Sequence, residues 1–244
     1  MKKSEVDVGE HFLVYSERYY KNVHGPLREV FQNVEKIMNK QLSGVVLDIG
    51  NGGVFFYNTD MLEKIIAVDL AYPKEMQNTD KVTFYSGDAR DLNFLESEKV
   101  DCVLMQFLLH HIVEKKKKDM DASLRKVLTE AQWALKPGGK LVIVEPVVFP
   151  IIEWLENVFY CFNSWLLKLF NKPMVKFYSK SSLMSFIKEE GYHSVESQKI
   201  SLGKRWIPLA PALFPGKFMI PPWLYPTRFC CITATKKGTE SQHN

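Results

Sequence analysis

Short apolar runs alternate with polar stretches along most of the chain. Five of them read as strands: Val45–Ile49, Lys64–Asp69, Val82–Ser86, Val100–Met105 and Lys140–Glu145. The stretches between them are helix-compatible, which predicts parallel β-α-β units. Ahead of the first strand, Leu27, Val30, Phe31, Val34 and Ile37 fall at helical spacing within a segment from Tyr15 to Asn39, a leading helix packed beside the sheet. Pro137, Gly138 and Gly139 form the turn that opens the fifth strand. Beyond it the rhythm changes. Ser182 to Glu190 reads as a short helix stopped by Gly191, and His193–Ile200 and Arg228–Thr235 read as two strands that pair antiparallel. The expected architecture is α/β, a Rossmann-like doubly wound sheet, mostly parallel with a C-terminal antiparallel strand pair.

Two segments stand outside that rhythm. Ile151 to Phe170 is apolar on nearly every helical face, but Glu153, Glu156, Asn157, Asn163 and Lys168 argue against a spanning helix. A buried lid helix is the plainer expectation, with a membrane-surface role as the other. Gly203 to Thr227 holds six prolines with Trp206, Phe214, Phe218, Trp223 and Tyr225, a stiff irregular flap between the last two strands.

The strand ends carry the chemistry. Val46 to Gly53 reads VLDIGNGG, an apolar strand ending in Asp48 and running into a glycine loop, and the next strand ends in Asp69. That arrangement receives an adenosyl group: glycines let the backbone approach the ligand, and an acid at the second strand tip accepts the ribose hydroxyls. LDIGNGG, AVDLA, YSGDARDL, VDCVLMQFLLHHI and LKPGGKLVIVEP follow one another in order. Together they resemble the class I S-adenosylmethionine-dependent methyltransferases of the small-molecule type over roughly Val45 to Pro146. In one respect the chain departs from the family, because the third glycine of D-x-G-x-G-x-G would stand at position 54, which is Val54, with Gly53 one residue early.

The resemblance implies S-adenosyl-L-methionine as cofactor, with S-adenosyl-L-homocysteine as product. Asp48, Gly50, Asn51 and Gly52 would form the loop facing the methionine amino group, and Asp69 with Leu70 would hold the ribose. Asp88 and Ala89 would meet the adenine, and Asp88 also reads as a helix N-cap. Met105 and Gln106, after the fourth strand, would line the transfer pocket, and Tyr19, beside Tyr15 and Tyr20, would close over the cofactor. The candidate catalytic residues are His110, His111 and Glu145. An imidazole can take a proton from an acceptor hydroxyl, while Glu145 positions an acceptor or caps a turn. His24 offers nothing that separates a site from a solvated helix position. No metal site is expected.

A chain of 244 residues, 46% hydrophobic, can bury one sizeable core. One methyltransferase domain over 1–244 is expected: a helical lid at 1–40, a cofactor-binding core at 41–146, a helical substrate lid at 147–192, and terminal strands at 193–244 with the flap at 203–227. The net charge of +4 comes partly from Lys115–Lys118, Lys236 and Lys237, so nucleic acid is not an expected partner. Four cysteines show neither metal spacing nor a disulfide framework, and MKKSEVDVGEHF lacks the apolar core of a signal peptide, which suits a cytoplasmic protein. The activity expected is methyl transfer to a small hydrophobic or aromatic acceptor, most readily at oxygen, by a monomer or homodimer without a transmembrane segment. A non-catalytic cofactor-binding or membrane-associated protein with peripheral membrane contact, and a nicotinamide-dependent oxidoreductase, are the alternatives.

Overall fold

The computed structural model describes Gly25 and residues 27–72, 76–95, 99–114, 117–169, 174–209 and 218–238. A seven-stranded sheet organises them, in the order β3-β2-β1-β4-β5-β9-β6. Its strands are β1 (Val45–Ile49), β2 (Lys64–Asp69), β3 (Val82–Ser86), β4 (Val100–Gln106), β5 (Leu135–Val147), β6 (Tyr192–Ile200) and β9 (Arg228–Lys236). The first five pair in parallel, whereas β9 inserts antiparallel between β5 and β6. The sheet is therefore the expected one, terminal antiparallel pair included. The Pro-Gly-Gly turn lies within β5 as an irregularity, because pairing jumps from Val100↔Leu135 to Cys102↔Lys140.

Helices cover both faces. α1 (Arg28–Gln41) buries Val30, Phe31, Val34 and Met38, one stripe at helical spacing, against Val46, Leu104, Val142 and Val144. Its start at Arg28 leaves the N-terminal part of the expected leading helix, Tyr15 to His24 with Tyr19, outside the described residues. α2 (Lys117–Ala134) and α5 (Lys180–Glu189) pack Leu124, Val127, Leu128, Leu183 and Ile187 on the opposite face. The Ser179 hydroxyl caps α5 by accepting from the Ser182 N–H at 3.2 Å.

The links between the early strands differ from expectation. Only a 3-10 turn, Thr59–Met61, separates β1 from β2, and another, Asn93–Leu95, stands between β3 and β4. The described residues of the β2–β3 link hold no helix either. Composition is the reason: the first link holds Gly50, Asn51, Gly52, Gly53 and Asn58, and the second holds Pro73, within links of about 14 and 12 positions that leave little chain to spare. Aromatic side chains fill the space instead. Phe56 packs on Phe31 at 4.9 Å between ring centres, Phe55 lies 6.2 Å from Phe84, and Tyr72 meets Phe84 edge-on at 5.1 Å.

The apolar segment after β5 is also corrected. It forms two helices, α3 (Pro150–Val158) and α4 (Tyr160–Leu169), and it is not a buried lid: Trp154, Phe159, Phe162 and Trp165 are exposed. Its acids point inward, with Glu153 accepting from the Ser179 N–H at 2.9 Å and Glu156 from the Phe177 N–H at 3.2 Å. Within the flap, the described residues form a small ladder, β7 (Ile207–Pro208) with β8 (Met219–Ile220), followed by a 3-10 turn at Pro222–Leu224. The ladder gives the two ends of this proline-rich segment more order than an irregular flap.

Candidate active site

The site gathers at the C-terminal ends of β1, β2, β4 and β5, where a doubly wound sheet places its ligands. Asp48 is buried in the last turn of β1. Its Oδ2 accepts from the Tyr57 hydroxyl at 2.8 Å and from Asn51 Nδ2 at 3.1 Å, while Oδ1 is buried without a protein partner. Burial raises its pKa to about 7, an effect that Tyr57 and Asn51 oppose and the nearby Asp69 reinforces. Asn51 braces the loop further, since its Oδ1 accepts from the Gly53 N–H at 2.9 Å and from the Tyr72 hydroxyl at 3.1 Å.

Glycine is required at two points here for different reasons. Gly50 has φ +78°, and a Cβ would stand 2.6 Å from Leu108, so the loop touches the turn that follows β4. Gly52 has φ +58° and nothing within 4 Å of where a Cβ would be, an open cradle in front of Asp69. Asp69 Oδ2 accepts from the Gly52 N–H at 2.9 Å, and the backbone N–H groups of Leu70 and Ala71 also donate to this carboxylate. Burial raises its pKa despite these three donors. The Leu70 side chain is exposed beside it.

The second half of the site follows β4. Met105 and Gln106 do not follow that strand but end it, both buried, with Met105 paired to Ile49 and the Gln106 amide nitrogen buried without a protein partner. Phe107 then takes a left-handed conformation, φ +56°, which turns the chain into the 3-10 turn Leu109–His111. A bulky residue in that region is strained and persists because its surroundings hold it. Its ring is wedged edge-on between Phe31 at 5.5 Å and Phe229 at 5.8 Å.

Glu145, buried near the end of β5, reaches under this turn. Its Oε1 accepts from the Leu109 N–H at 2.6 Å and its Oε2 lies 2.8 Å from His110 Nδ1. Burial pushes the carboxyl up to about 8 against the pull of the Leu109, Leu108 and His110 N–H groups, and pushes the imidazole down to about 3. Both shifts favour a pair without net charge, held in one orientation. His110 stacks on Phe177 at 5.5 Å and 12°, and its ring lies 4.1 Å from that of His111. The strap from Met174 to Tyr178 that brings Phe177 is pinned by the Lys176 N–H, which donates to the His110 carbonyl at 2.9 Å.

Asp88 follows β3 beside the end of β2, where the Gly87 N–H donates to the Asp69 carbonyl at 2.8 Å. Its carboxylate is forked by Arg90, with Nη2 at 2.6 Å and Nε at 2.9 and 3.0 Å, and Arg90 continues to Glu114. Those bonds hold Asp88 below the usual carboxylate range. It caps a turn through the Arg90 N–H at 2.9 Å rather than a helix, and Ala89 is buried beside it. Tyr57, Tyr72, Phe107 and Phe177 are the contributors that the sequence reading missed. The run FFY after the glycine loop, in a stretch that is short and poor in helix formers, was the one available signal for Tyr57.

These groups suit a bound S-adenosylmethionine. Two acids with raised pKa values, buried Asp48 with an orphaned oxygen and half-buried Asp69, are relieved by a cation, and the cofactor carries an ammonium and a sulfonium. The open Gly52 cradle admits the ligand beside Asp69.

Residues 47–143 match the profile of the family described as methyltransferase domain. No curated protein matches the chain in sequence. Among solved structures, a Haloferax volcanii protein in complex with the Trm112 methyltransferase activator is similar with TM-score 0.62 and 15% identity, over 96% of this chain and 100% of that one. An S-adenosylmethionine-dependent methyltransferase from Thermotoga maritima is similar with TM-score 0.54 and 19% identity, over 93% and 97%. Burkholderia thailandensis 1,6-didemethyltoxoflavin-N1-methyltransferase, solved with its substrate and S-adenosylhomocysteine, gives TM-score 0.54 and 14% identity, over 96% and 93%. At these identities the likeness is one of fold. Sheet order, glycine loop and family match together identify residues 47–143 as a class I S-adenosylmethionine-dependent methyltransferase domain.

Proposed function

We propose that this chain methylates oxygen on a small hydrophobic or aromatic acceptor, with His110 as the proton acceptor and Glu145 as its positioning residue. The observation that carries the reading is the 2.8 Å contact between His110 Nδ1 and Glu145 Oε2 at the mouth of the sheet. S-adenosylmethionine, when bound, supplies an electrophilic methyl group and leaves as S-adenosylhomocysteine. Asp48, Gly50, Asn51 and Gly52 would hold its amino acid end, Asp69 and Leu70 the ribose, Asp88 and Ala89 the adenine side, and Met105 and Gln106 the pocket floor.

With Glu145 ionised, its Oε2 accepts from Nδ1–H and leaves the Nε2 lone pair of His110 open to an acceptor hydroxyl. The proton taken at Nε2 makes an imidazolium that the adjacent carboxylate stabilises, while stacking on Phe177 fixes the ring plane. His111, 4.1 Å away, shapes the same wall. The ring of Phe177, stacked beside His110, supports a lipophilic acceptor. Buried free thiols at Cys102, Cys230 and Cys231 support a reducing, cytoplasmic setting, the last two adjacent on β9 and so facing opposite sides of the sheet.

The test is an acceptor screen that reads S-adenosylhomocysteine formation from lipophilic phenols and carboxylic acids against polar analogues, with native protein and His110→Ala. Turnover of lipophilic phenols that falls at least a hundredfold in the variant is the expected result. Equal turnover in the variant would remove the base role, and turnover confined to amines would remove the oxygen assignment.

A further inference from the structure

The helix pair α3–α4 is inverted relative to a water-facing surface. Its acids Glu153 and Glu156 turn inward to backbone N–H groups of the strap, and Tyr160 is buried with its hydroxyl on the Glu114 carbonyl. Outward, at successive helical spacings, stand Trp154, Leu155, Val158, Phe159, Phe162 and Trp165, with the two tryptophans 58% and 59% exposed. This stripe does not end with the helices. Arg228 lies 5.6 Å over the ring of exposed Phe149 at the head of α3, and its Nη2 donates to the Trp223 carbonyl at 2.9 Å. Through that arginine the stripe joins a second apolar projection, the 3-10 turn bearing Trp223, 72% exposed, and Leu224. No helix among the described residues is long and apolar enough to cross a membrane.

Charge identifies what covers such a face. Of the described cations, Lys180 at the head of α5, Lys199 near the end of β6 and Arg228 at the start of β9 stand at this end of the sheet, whereas Lys176 is buried 3.6 Å from Glu156. Lys204 and Arg205 follow β6 at the same end and meet Glu29, at 2.9 Å through the Lys204 N–H and at 3.2 Å through Arg205 Nε, while Lys236 lies at the other end of β9. A second copy meeting this face across a two-fold axis would bring cation against cation. Tryptophans set beside Lys180, Lys199 and Arg228 match the headgroup region of an anionic bilayer, where indoles sit at the boundary and basic side chains meet phosphates.

We propose that α3, α4 and the Pro222–Leu224 turn form one docking face that seats this protein on an anionic lipid surface. The apolar stripe enters the headgroup boundary and the basic residues around it contact lipid phosphates. The face lies beyond the C-terminal ends of β5 and of the strand set that holds the candidate site, so docking brings the site mouth toward the bilayer. This goes beyond the acceptor reading and stands without it.

The test is co-sedimentation of the full chain with vesicles of phosphatidylcholine alone and with added phosphatidylglycerol, for native protein and for Trp154→Glu/Trp165→Glu. Binding to the anionic vesicles, weakened by salt and accompanied by a blue shift of tryptophan emission, is the expected result. The double variant should bind about tenfold more weakly or less. S-adenosylhomocysteine binding by calorimetry, measured in parallel, should be equal in both proteins, which separates docking from folding and from the catalytic reading. Absence of native binding to anionic vesicles, variant binding equal to native, or a native dimer that the double variant converts to monomer would each overturn the proposal.

Discussion

Binding of S-adenosylhomocysteine should expel a proton, and Asp48 sets how much. Its pKa is raised by burial to about 7, and its Oδ1 has no protein partner. A group with that pKa is about 0.9 protonated at pH 6 and about half protonated at pH 7. An ammonium seated at Oδ1 favours the carboxylate, so binding should release about 0.9 proton at pH 6 and about 0.5 at pH 7. Affinity follows by linkage and should be about fivefold tighter at pH 7 than at pH 6. Calorimetric titration in pairs of buffers with different ionisation enthalpies reads the proton count directly from the slope of the observed enthalpy. Asp48→Asn keeps acceptor and donor groups for Tyr57 and Asn51, so it should stay folded while losing both the release and the pH dependence. Zero release at pH 6 in the native protein, or unchanged release in Asp48→Asn, would refute the placement of the ammonium beside Asp48.

The same acid predicts a stability profile. With its folded pKa raised from 3.8 to about 7, Asp48 contributes stability that is full below about pH 4 and is lost as pH rises through 7, and Glu145, raised to about 8, adds in the same direction. Unliganded protein should therefore melt at a lower temperature at pH 8 than at pH 5, and Asp48→Asn should flatten that difference. If the His110–Glu145 pair works as proposed, kcat/KM should rise with pH through about 8 as Glu145 ionises, and Glu145→Gln should erase the step, which a stopped-time pH series would show. Asp69→Ala should weaken S-adenosylhomocysteine about a hundredfold in calorimetry, the loss of two charge-assisted bonds to the ribose at about 1.5 kcal/mol each. Gly50→Ala should cost about 2–4 kcal/mol in denaturant unfolding, because φ +78° is strained and the Leu108 side chain is met within 3.2 Å by three of its atoms. Gly52→Ala, at φ +58° with open space, should cost only about 1 kcal/mol of stability yet weaken the cofactor by occupying its cradle.

What the sequence made legible, and what it hid, divides along the range of the forces involved. The strands were legible because each is a short apolar run whose burial on both faces writes itself into consecutive residues; β1 and β2 matched their expected bounds at Val45–Ile49 and Lys64–Asp69. Asp48, the glycine loop, Asp69, the histidine turn and Glu145 were legible for the same reason, since they sit at the ends of those runs. The crossover helices were misread because the stretches between strands were taken together as helix-compatible, although residues 50–63 hold three glycines and two asparagines and have little length to spare. Phe55, Phe56 and Tyr57 then do by packing what a helix would have done, and Tyr57 gains its bond to Asp48 from that substitution.

The segment from Ile151 to Phe170 failed for a subtler reason. An apolar helix with a few acids reads as buried with its acids at the edge, because an isolated helix is judged against water. Here the strap from Met174 to Ser179 offers N–H groups that need acceptors, and Glu153 and Glu156 satisfy them from within. Satisfying a buried donor outweighs leaving a tryptophan in solvent, as an unpaired buried N–H costs about 1–3 kcal/mol while half-exposed apolar surface costs nothing new relative to the unfolded chain. Once the acids face inward, helical spacing leaves Trp154, Leu155, Val158 and Phe162 no direction but out. The acid-inward rotation that fixes the strap, and with it Phe177 against His110, is therefore the same rotation that builds the apolar face. Replacing Glu153 by leucine should accordingly disturb both at once, lowering activity through His110 and loosening α3, whereas Trp154→Glu should alter the face and leave the histidine turn as it is.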